Sequence, residues 1–251
     1  MPASNTLTAH PVPSGRIDFR AAGLPEYESC FALVLDDLYQ RSELSALLSA
    51  PIQAGKDWDV ARVNAGTYEF TDTTYRNGQR IIYDSHELSA QIFEKIRPHL
   101  GDIEEIEEDV VRVLRHGARR VRMKQKWRMV RMNERLRYLR YPIGGFFRPH
   151  VDGYYEDEEK GLRTFYTVQI YLPSDATGSP ESFKPAGGGA TRFWSNDEDD
   201  YADVEALPGR VLVFQHDDLL HTGQEVTSGV KCAIRSDILY EKVGAPVPVD
   251  V

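Results

Sequence analysis

The sequence predicts a mainly β fold with flanking helices, arranged as a sandwich or barrel. In the first half of the chain, apolar residues recur with helical spacing, whereas from Leu136 onward they alternate with a period of two. Breaks rich in glycine and proline separate the alternating segments. Many short strands joined by long loops are typical of a sandwich or barrel and not of a parallel α/β sheet.

Three segments of the first half are expected to form supporting helices. Phe31–Leu48 carries apolar residues with roughly helical recurrence, and Pro51 is expected to end that helix. His86–Leu100 repeats the pattern. Asp102–His116 is expected to form a third helix, with an aspartate placed to cap it and a glycine placed to stop it.

The second half is expected to supply the strands. Apolar and polar residues alternate in Thr164–Leu172 and Lys231–Tyr240, and Gly209–His216 contains a continuous apolar run. Loops are expected between and beside these strands, at Pro173–Gly189, Asn196–Gly209 and Thr222–Gly229.

Length and composition favour one catalytic domain inside a cell. We expect a flexible arm over residues 1–23 and a single domain over 24–251, with helical support at about 24–120 and the barrel at about 121–243. No apolar run approaches the roughly 18–20 residues that cross a bilayer. There is no apolar secretory block, and two cysteines leave no room for a disulfide framework, so the expected location is cytoplasmic. The sequence does not specify the oligomeric state.

Charge argues against nucleic acid as an obligate partner, because the chain carries a net charge of −9. One stretch, Arg112–Arg140, nevertheless contains 12 Lys or Arg residues and a single acid, Glu134. It could bind an anionic partner, or it could be a solvated face balanced by the acidic runs Asp102–Asp109 and Asp197–Asp203. We favour the solvated face, because the basic residues are interleaved with strand-forming residues.

A His-x-Asp pair, His150 and Asp152, is the first candidate for chemistry. Residues two apart on an extended segment point the same way, so both side chains can reach one ion. A second histidine, His221, follows the predicted strand Gly209–His216; we interpret His216 as a strand-end residue and not the ligand. Two histidines and one carboxylate leave three positions of an octahedral ion open, as in non-heme Fe(II) oxygenases.

An anionic cosubstrate would need a cation in the same pocket. Lys231 begins a predicted strand ten residues after His221, and Arg235 shares its face. A cation buried in a barrel is costly unless it meets an anion. Lys231 is therefore expected to bind a cosubstrate carboxylate, whereas Arg235 could equally form a salt bridge with Asp237 or with a loop acid.

A run of 13 residues, from Tyr141-Pro142-Ile143-Gly144-Gly145 through His150-Val151-Asp152-Gly153, resembles the signature of the prolyl 4-hydroxylase-like branch of the Fe(II)/2-oxoglutarate-dependent dioxygenases. The resemblance covers about Tyr75 to Tyr240. Further segments match the family in order: Asn133–Arg137, Tyr171–Pro173, Gly188–Phe193, Pro208–Phe214, and His221 with Lys231.

The resemblance implies a double-stranded β-helix, which is a jelly-roll or cupin-like barrel, with iron held by His150, Asp152 and His221. It implies Fe(II), 2-oxoglutarate and dioxygen as reactants, with ascorbate as a candidate reductant. Lys231 would bind the distal carboxylate of 2-oxoglutarate. Further cosubstrate contacts are expected from Tyr141, Thr167, Tyr171 and Arg235. Arg235 departs from the small polar residue that is frequent at its position, so it could instead reach a substrate carboxylate.

The sequence leaves the substrate open. We expect a small amino-acid-like molecule or secondary metabolite, hydroxylated by default, with ring closure or desaturation as other outcomes of the same site. The alternatives are a peptidyl, prolyl-type hydroxylase with a regulatory role and a catalytically silent binding barrel. Tyr154, Tyr155 and Trp194 are candidate substrate contacts, although aromatics at these places could equally pack the barrel rim.

Overall fold

The computed structural model describes residues 10–64, 68–113 and 120–248. The chain divides into two compact units. The first unit comprises Met1–Ser85, Arg135–Gly153 and Tyr166–Ser236, and the second comprises His86–Glu134, Tyr154–Phe165 and Asp237–Val251.

Strands dominate the described residues. In chain order they are β1 (His10–Pro11), β2 (Gly15–Arg16), β3 (Ala32–Leu35), β4 (Asp59–Val60), β5 (Val63–Asn64), β6 (Glu69–Phe70), β7 (Arg76–Asn77), β8 (Gln79–Asp84), β9 (Glu105–Val113), β10 (Arg120–Met132), β11 (Arg135–Tyr141), β12 (Phe146–His150), β13 (Glu156–Asp157), β14 (Leu162–Leu172), β15 (Gly187–Gly188), β16 (Thr191–Trp194), β17 (Tyr201–Val204), β18 (Val211–Gln215), β19 (His221–Gly223), β20 (Val226–Ser228) and β21 (Lys231–Pro248).

The helices are few. They are α1 (Arg41–Gln53), α2 (His86–Ile96) and short 3-10 segments at Pro25–Tyr27, Arg97–His99, Gly101–Ile103 and Pro180–Phe183. No helix among the described residues is both long and apolar enough to cross a membrane.

Most of the described strands belong to two main sheets. One has the strand order β1-β17-β16-β19-β12-β7, and the other runs β2-β3-β18-β14-β21-β11-β8-β4. One apolar core draws on both sheets, with Phe193 and Val204 from the first and Val34, Tyr171 and Phe214 from the second. Two sheets that share a core between them confirm the predicted sandwich or barrel.

The three strands predicted in the second half are confirmed as β14, β18 and the start of β21. Strand β18 is fully buried over Val211–Phe214, as its continuous apolar run indicates. Two of the predicted loops are more regular than expected, because Asn196–Gly209 contains β17 and Thr222–Gly229 contains β20. Both strands are short, and each completes a sheet by pairing with a partner distant in sequence.

The helix predicted over Phe31–Leu48 is wrong in its first part. Ala32–Leu35 is strand β3, which pairs with β18 in register from Ala32–Phe214 to Leu35–Val211. A short continuous apolar run fits a buried strand as well as a helix, and here the neighbouring strand decides.

The predicted end at Pro51 is also wrong, because α1 continues to Gln53. Proline lacks the N–H that would reach the carbonyl four residues earlier, which belongs to Leu47. The hydroxyl of Tyr138 donates to that carbonyl at 3.0 Å and satisfies it. The helix therefore tolerates proline in its last turn.

The residues predicted as an N-terminal arm are partly built into the first unit. Residues 1–9 lie outside the described part of the chain. Beyond them, β1 pairs with β17 and β2 with β3, and the side chains of Val12, Ile17 and Phe19 are buried.

In the second unit, α2 confirms the predicted helix, with Ile92, Phe93 and Ile96 buried along one face. The helix predicted over Asp102–His116 is wrong where it is described, because Glu105–Val113 is strand β9. Residues 114–119 lie outside the described part of the chain. The region expected to be helical support thus holds α1 and α2 together with β3 to β9.

Pairing with β10, supported by cross-strand ion pairs, accounts for the extended conformation of β9. It pairs with β10 over its whole length, and Lys124 of β10 lies 3.5 Å from Glu107 and 3.7 Å from Asp109. Lys126 also reaches Glu107, and Arg128 reaches Glu241 of β21 at 2.6 Å. Lys124, Lys126 and Arg128 of β10 are therefore balanced by acids, and the partners of the two lysines lie in the acidic run Asp102–Asp109.

Candidate active site

The triad lies in the first unit, where the end of β12 pairs with the start of β19. His150 and His221 are directly opposite in the register of these strands. Their ligating atoms and those of Asp152 lie within 4.8 Å of one another. The Nε2 atoms of His150 and His221 are 3.8 Å and 3.9 Å from the Asp152 carboxylate oxygens.

Backbone carbonyls orient both imidazoles. The Nδ1 atom of His150 lies 2.8 Å from the carbonyl oxygen of Arg148, and Nδ1 of His221 lies 3.0 Å from that of Leu219. A carbonyl only accepts, so Nδ1 carries the proton and the Nε2 lone pair remains for an ion.

Burial keeps the histidines neutral. Desolvation lowers the pKa of His150 to about 3 and also lowers that of His221. The ring of Phe147 stacks on His150 with centroids 3.7 Å apart, and Phe214 meets His221 edge-on at 4.9 Å. An aromatic ring therefore shields one side of each histidine ligand from water.

The Asp152 carboxylate is held by two neighbours. Thr167 donates to Oδ2 at 2.6 Å, and Nη2 of Arg235 lies 2.9 Å from Oδ1. Burial alone would raise the pKa of Asp152, but the Arg235 guanidinium and the neighbouring histidines together outweigh it and hold the pKa well below its usual range. Asp152 is thus an anion in place to bind a cation.

Lys231 lines the same pocket as the triad. It is 6% exposed, and burial lowers its pKa to about 7. Its Nζ lies 5.7 Å from the ring centroid of Tyr141 and 5.5 Å from that of Tyr171. Gly189, at φ +70°, leaves room for its stem, since a Cβ there would lie 3.2 Å from Lys231 Cδ. No acidic partner of Lys231 is found among the described residues.

The remaining predicted cosubstrate residues have three kinds of surroundings. Tyr141 lines the pocket and lies opposite Lys231 in the pairing of β11 with β21. Thr167 and Arg235 contact Asp152, a metal ligand, and Arg235 also lines the pocket. The hydroxyl of Tyr171 donates to Thr191 at 2.8 Å, and the side chain is fully buried.

One charged pocket residue was absent from the sequence-based predictions. Arg76, on β7, lines the pocket, and its guanidinium lies 4.4 Å above the ring of Phe147. It is far from the motifs in sequence, and only the pairing of β7 with β12 brings it near them. A lone arginine in an irregular segment gives no local signal.

The candidate substrate aromatics have different surroundings. Trp194 is half-buried in the first unit, and its Nε1 donates to Thr222, which lines the pocket. Tyr154 and Tyr155 belong to the second unit and are 55% and 47% exposed. The guanidinium of Arg163 lies 4.0 Å from the Tyr154 ring centroid.

The donor set fits Fe(II) and 2-oxoglutarate. Two neutral imidazoles and one carboxylate suit a divalent first-row metal with open positions, and His216 lies outside this cluster. Lys231 adds a buried cation in the same pocket, as a dicarboxylate would require.

Comparison with known proteins supports this assignment. Residues 136–236, which include the triad, Lys231 and Arg235, match the model of the 2OG-Fe(II) oxygenase superfamily. A search of curated proteins gave no match.

Solved structures share the fold. A prolyl-4-hydroxylase from Pseudomonas putida has a TM-score of 0.51 at 14% identity, covering 90% of this chain and 96% of that chain. A 2OG-Fe(II) oxygenase family oxidoreductase from Burkholderia pseudomallei has a TM-score of 0.51 at 12% identity, covering 94% and 96%. A Trichoplax adhaerens prolyl hydroxylase, solved with a hypoxia inducible factor peptide fragment, has a TM-score of 0.51 at 12% identity, covering 88% and 90%.

These likenesses confirm the double-stranded β-helix fold, and the matched segment carries the iron-binding triad. Residues 136–236 match the 2OG-Fe(II) oxygenase superfamily, and the chain is an Fe(II)- and 2-oxoglutarate-dependent dioxygenase with a prolyl 4-hydroxylase-like fold.

Proposed function

We propose that this dioxygenase oxidises an unactivated C–H bond of a small amino-acid-like molecule or secondary metabolite, by hydroxylation in the first instance. The observation that carries the proposal is the charge of the pocket. Among the described residues that line it, three are cations, Arg76, Lys231 and Arg235, whereas Asp152 is the single acid. With a divalent metal bound, this positive excess exceeds what the two carboxylates of 2-oxoglutarate neutralise, which favours a substrate with an anionic group.

When bound, the metal and cosubstrate couple decarboxylation of 2-oxoglutarate to succinate and carbon dioxide with transfer of one dioxygen atom to succinate and the other to the substrate. The chain's own residues hold the reactants. The carbonyls of Arg148 and Leu219 direct the Nε2 atoms of the triad histidines. Thr167 and Arg235 fix the Asp152 carboxylate.

Lys231 is proposed to bind the distal carboxylate of 2-oxoglutarate. Its burial without an acidic partner among the described residues supports this role, because an uncompensated buried ammonium is costly. We expect Lys231→Ala to weaken 2-oxoglutarate binding by on the order of 2–5 kcal/mol. The matched variant Arg235→Ala should retain more affinity, since Arg235 already pairs with Asp152. Unchanged binding in Lys231→Ala with a collapse in Arg235→Ala would transfer the role to Arg235.

The substrate is tested by turnover. The purified enzyme with Fe(II), 2-oxoglutarate and ascorbate would be screened against amino acids, their N-acyl and carboxylated derivatives, and proline-containing peptides. Succinate and product mass would be measured together, with Asp152→Ala as the inactive control. Gain of one oxygen atom indicates hydroxylation, and loss of two hydrogen atoms indicates ring closure or desaturation. Coupled turnover of peptides alone would overturn the small-molecule proposal.

A further inference from the structure

Arg76 is a buried arginine whose described partners are all neutral. It is 9% exposed. Its Nε and Nη2 donate to the hydroxyl oxygen of Tyr141 at 3.2 Å and 3.1 Å, and Nη1 donates to the carbonyl of Arg62 at 3.0 Å. Its third neighbour is the Phe147 ring. A buried guanidinium is normally compensated by a carboxylate, and none of the described residues supplies one.

Arg76 determines which role the Tyr141 hydroxyl can play. A phenolic oxygen has two acceptor lone pairs and one O–H donor. The two N–H groups of Arg76 occupy the acceptor side, so the remaining hydrogen-bonding capacity of Tyr141 is as a donor. A neighbour that only accepts, such as a carboxylate, is therefore the partner that Tyr141 can still bind.

The Tyr141 ring is also fixed in place. A Cβ at Gly78 would lie 2.6 Å from the ring carbons Cδ1 and Cε1, so the chain passes directly against it. Tyr141 and Lys231 are register partners on β11 and β21, and both line the pocket. The hydroxyl donor and the ammonium are thus held on one face by the same strand pair.

We propose that Arg76 is a positioning residue for the cosubstrate, which fixes Tyr141 as a hydrogen-bond donor so that Tyr141 and Lys231 together receive a carboxylate of 2-oxoglutarate. The inference rests on the proposed use of this pocket, and of Lys231 in particular, for 2-oxoglutarate. Arg76 acts through Tyr141, and its charge strengthens the receptor by compensating the incoming anion.

A double-mutant cycle tests the proposal. The affinity for 2-oxoglutarate would be measured by anaerobic calorimetry, with Mn(II) in place of Fe(II), in Arg76→Met, Tyr141→Phe and the double variant. Loss of one hydrogen bond to a charged group weakens binding by about ten- to hundredfold. We expect each single variant to show a loss in this range, and the double variant to be no weaker than the weaker single variant.

Two further variants serve as controls. Arg62→Met removes a nearby exposed guanidinium but keeps the carbonyl that binds Arg76, so its affinity should match the wild type. Arg76→Lys retains the charge but lacks the fork that fills both lone pairs of Tyr141, so its affinity should lie between those of the wild type and Arg76→Met. Thermal melts identify any variant that fails to fold, and Arg76→Lys then completes the cycle in place of Arg76→Met.

Two results would overturn the inference. Wild-type affinity in folded Arg76→Met would show that Arg76 supports only the fold. Fully additive losses in the cycle would show that Arg76 and Tyr141 act separately. The affinity of Lys231→Ala for 2-oxoglutarate is measured alongside. Wild-type affinity in that variant would contradict the proposed cosubstrate site itself. Weaker binding in Lys231→Ala, together with wild-type affinity in the Arg76 variants, would contradict only the role of Arg76.

Discussion

The charge of Asp152 depends on its immediate neighbours. Its carboxylate is 6% exposed, and it lies against Arg235, Thr167 and the two triad histidines. Burial of a carboxylate is tolerable only because these neighbours stabilise the charged form. The same arrangement makes the residue a strong ligand, since no proton has to be displaced when a cation binds.

The triad assignment leads to the first prediction. We expect His150→Ala, Asp152→Ala and His221→Ala each to abolish iron binding and succinate formation, because two ligands leave too few donors to hold Fe(II). His216→Ala is the matched control, since His216 is buried but lies outside the ligand cluster. Metal content after dialysis against Fe(II) is the measurement. Retained iron in His221→Ala together with loss in His216→Ala would reverse the assignment.

The lowered pKa of Lys231 gives a second prediction. In the free enzyme the ammonium loses its proton above about pH 7, and a bound carboxylate would raise its pKa again. Binding of 2-oxoglutarate above pH 7 must therefore take up a proton, so affinity should fall by up to about tenfold per pH unit there and level off at lower pH.

Calorimetry in buffers of different ionisation enthalpy measures that proton uptake. Lys231→Arg is the control, because a guanidinium stays charged throughout this range. The affinity of Lys231→Arg for 2-oxoglutarate should therefore stay constant across the pH range in which the wild-type lysine titrates. The same pH profile in Lys231→Arg as in the wild type would assign the titration to another group.

At the scale of elements, the predictions succeeded where the local pattern and the tertiary partner agree. Strand β14 and helix α2 carry periodicities that only one kind of element satisfies, and the continuous apolar run of β18 has strand partners on both sides. The helix predicted over Asp102–His116 was wrong at β9, because the alternating pattern typical of a strand lies in its partner β10. The lysines of β10 pair with the acids of β9. The pattern that indicates a strand was therefore present in the sequence of β10, and not in the sequence of β9 itself.

The site residues that belong to sequence motifs were predictable, and those that reach the site only through the fold were not. The triad and Lys231 belong to ordered motifs whose spacing is fixed by the strands that carry them. Arg76 was missed because it belongs to none of these motifs and reaches the pocket through a two-residue strand. The contact of Arg235 with Asp152 depends on side-chain direction across two strands, which spacing alone does not specify.

The proline in α1 provides a third prediction, at the scale of one helix. Tyr138→Phe removes the hydroxyl that satisfies the Leu47 carbonyl, so the free energy of unfolding should fall by about 1–3 kcal/mol. In a Pro51→Ala background the same change should cost less, because the alanine introduced there would supply the N–H that proline lacks. Urea unfolding of the four proteins measures the coupling. Equal costs in both backgrounds would contradict this account of the helix.

At the scale of the whole molecule, ligand binding and stability are linked. Every residue proposed to hold iron or 2-oxoglutarate lies in the first unit. Ligands that bind only the folded state stabilise it by about 2.7 kcal/mol at a hundred times the Kd. At that excess, the metal and the cosubstrate should each raise the apparent Tm by about 5–11 °C, given roughly 2–4 °C per kcal/mol for a chain of this size.

Hydrogen exchange would locate that stabilisation, and it gives the fourth prediction. With Mn(II) and 2-oxoglutarate bound, we expect protection to rise in peptides that contain β11, β12, β19 and the start of β21, because ordering of the ligand residues suppresses local opening there. His221→Ala should lose this protection while retaining that of second-unit peptides such as α2.

Addition of a turned-over substrate then tests Tyr154 and Tyr155, which remain predicted substrate contacts. If they bind substrate, the peptide spanning them should gain protection only in the ternary complex. Unchanged exchange there, with Trp194 and Thr222 newly protected, would restrict the substrate contacts to the first unit.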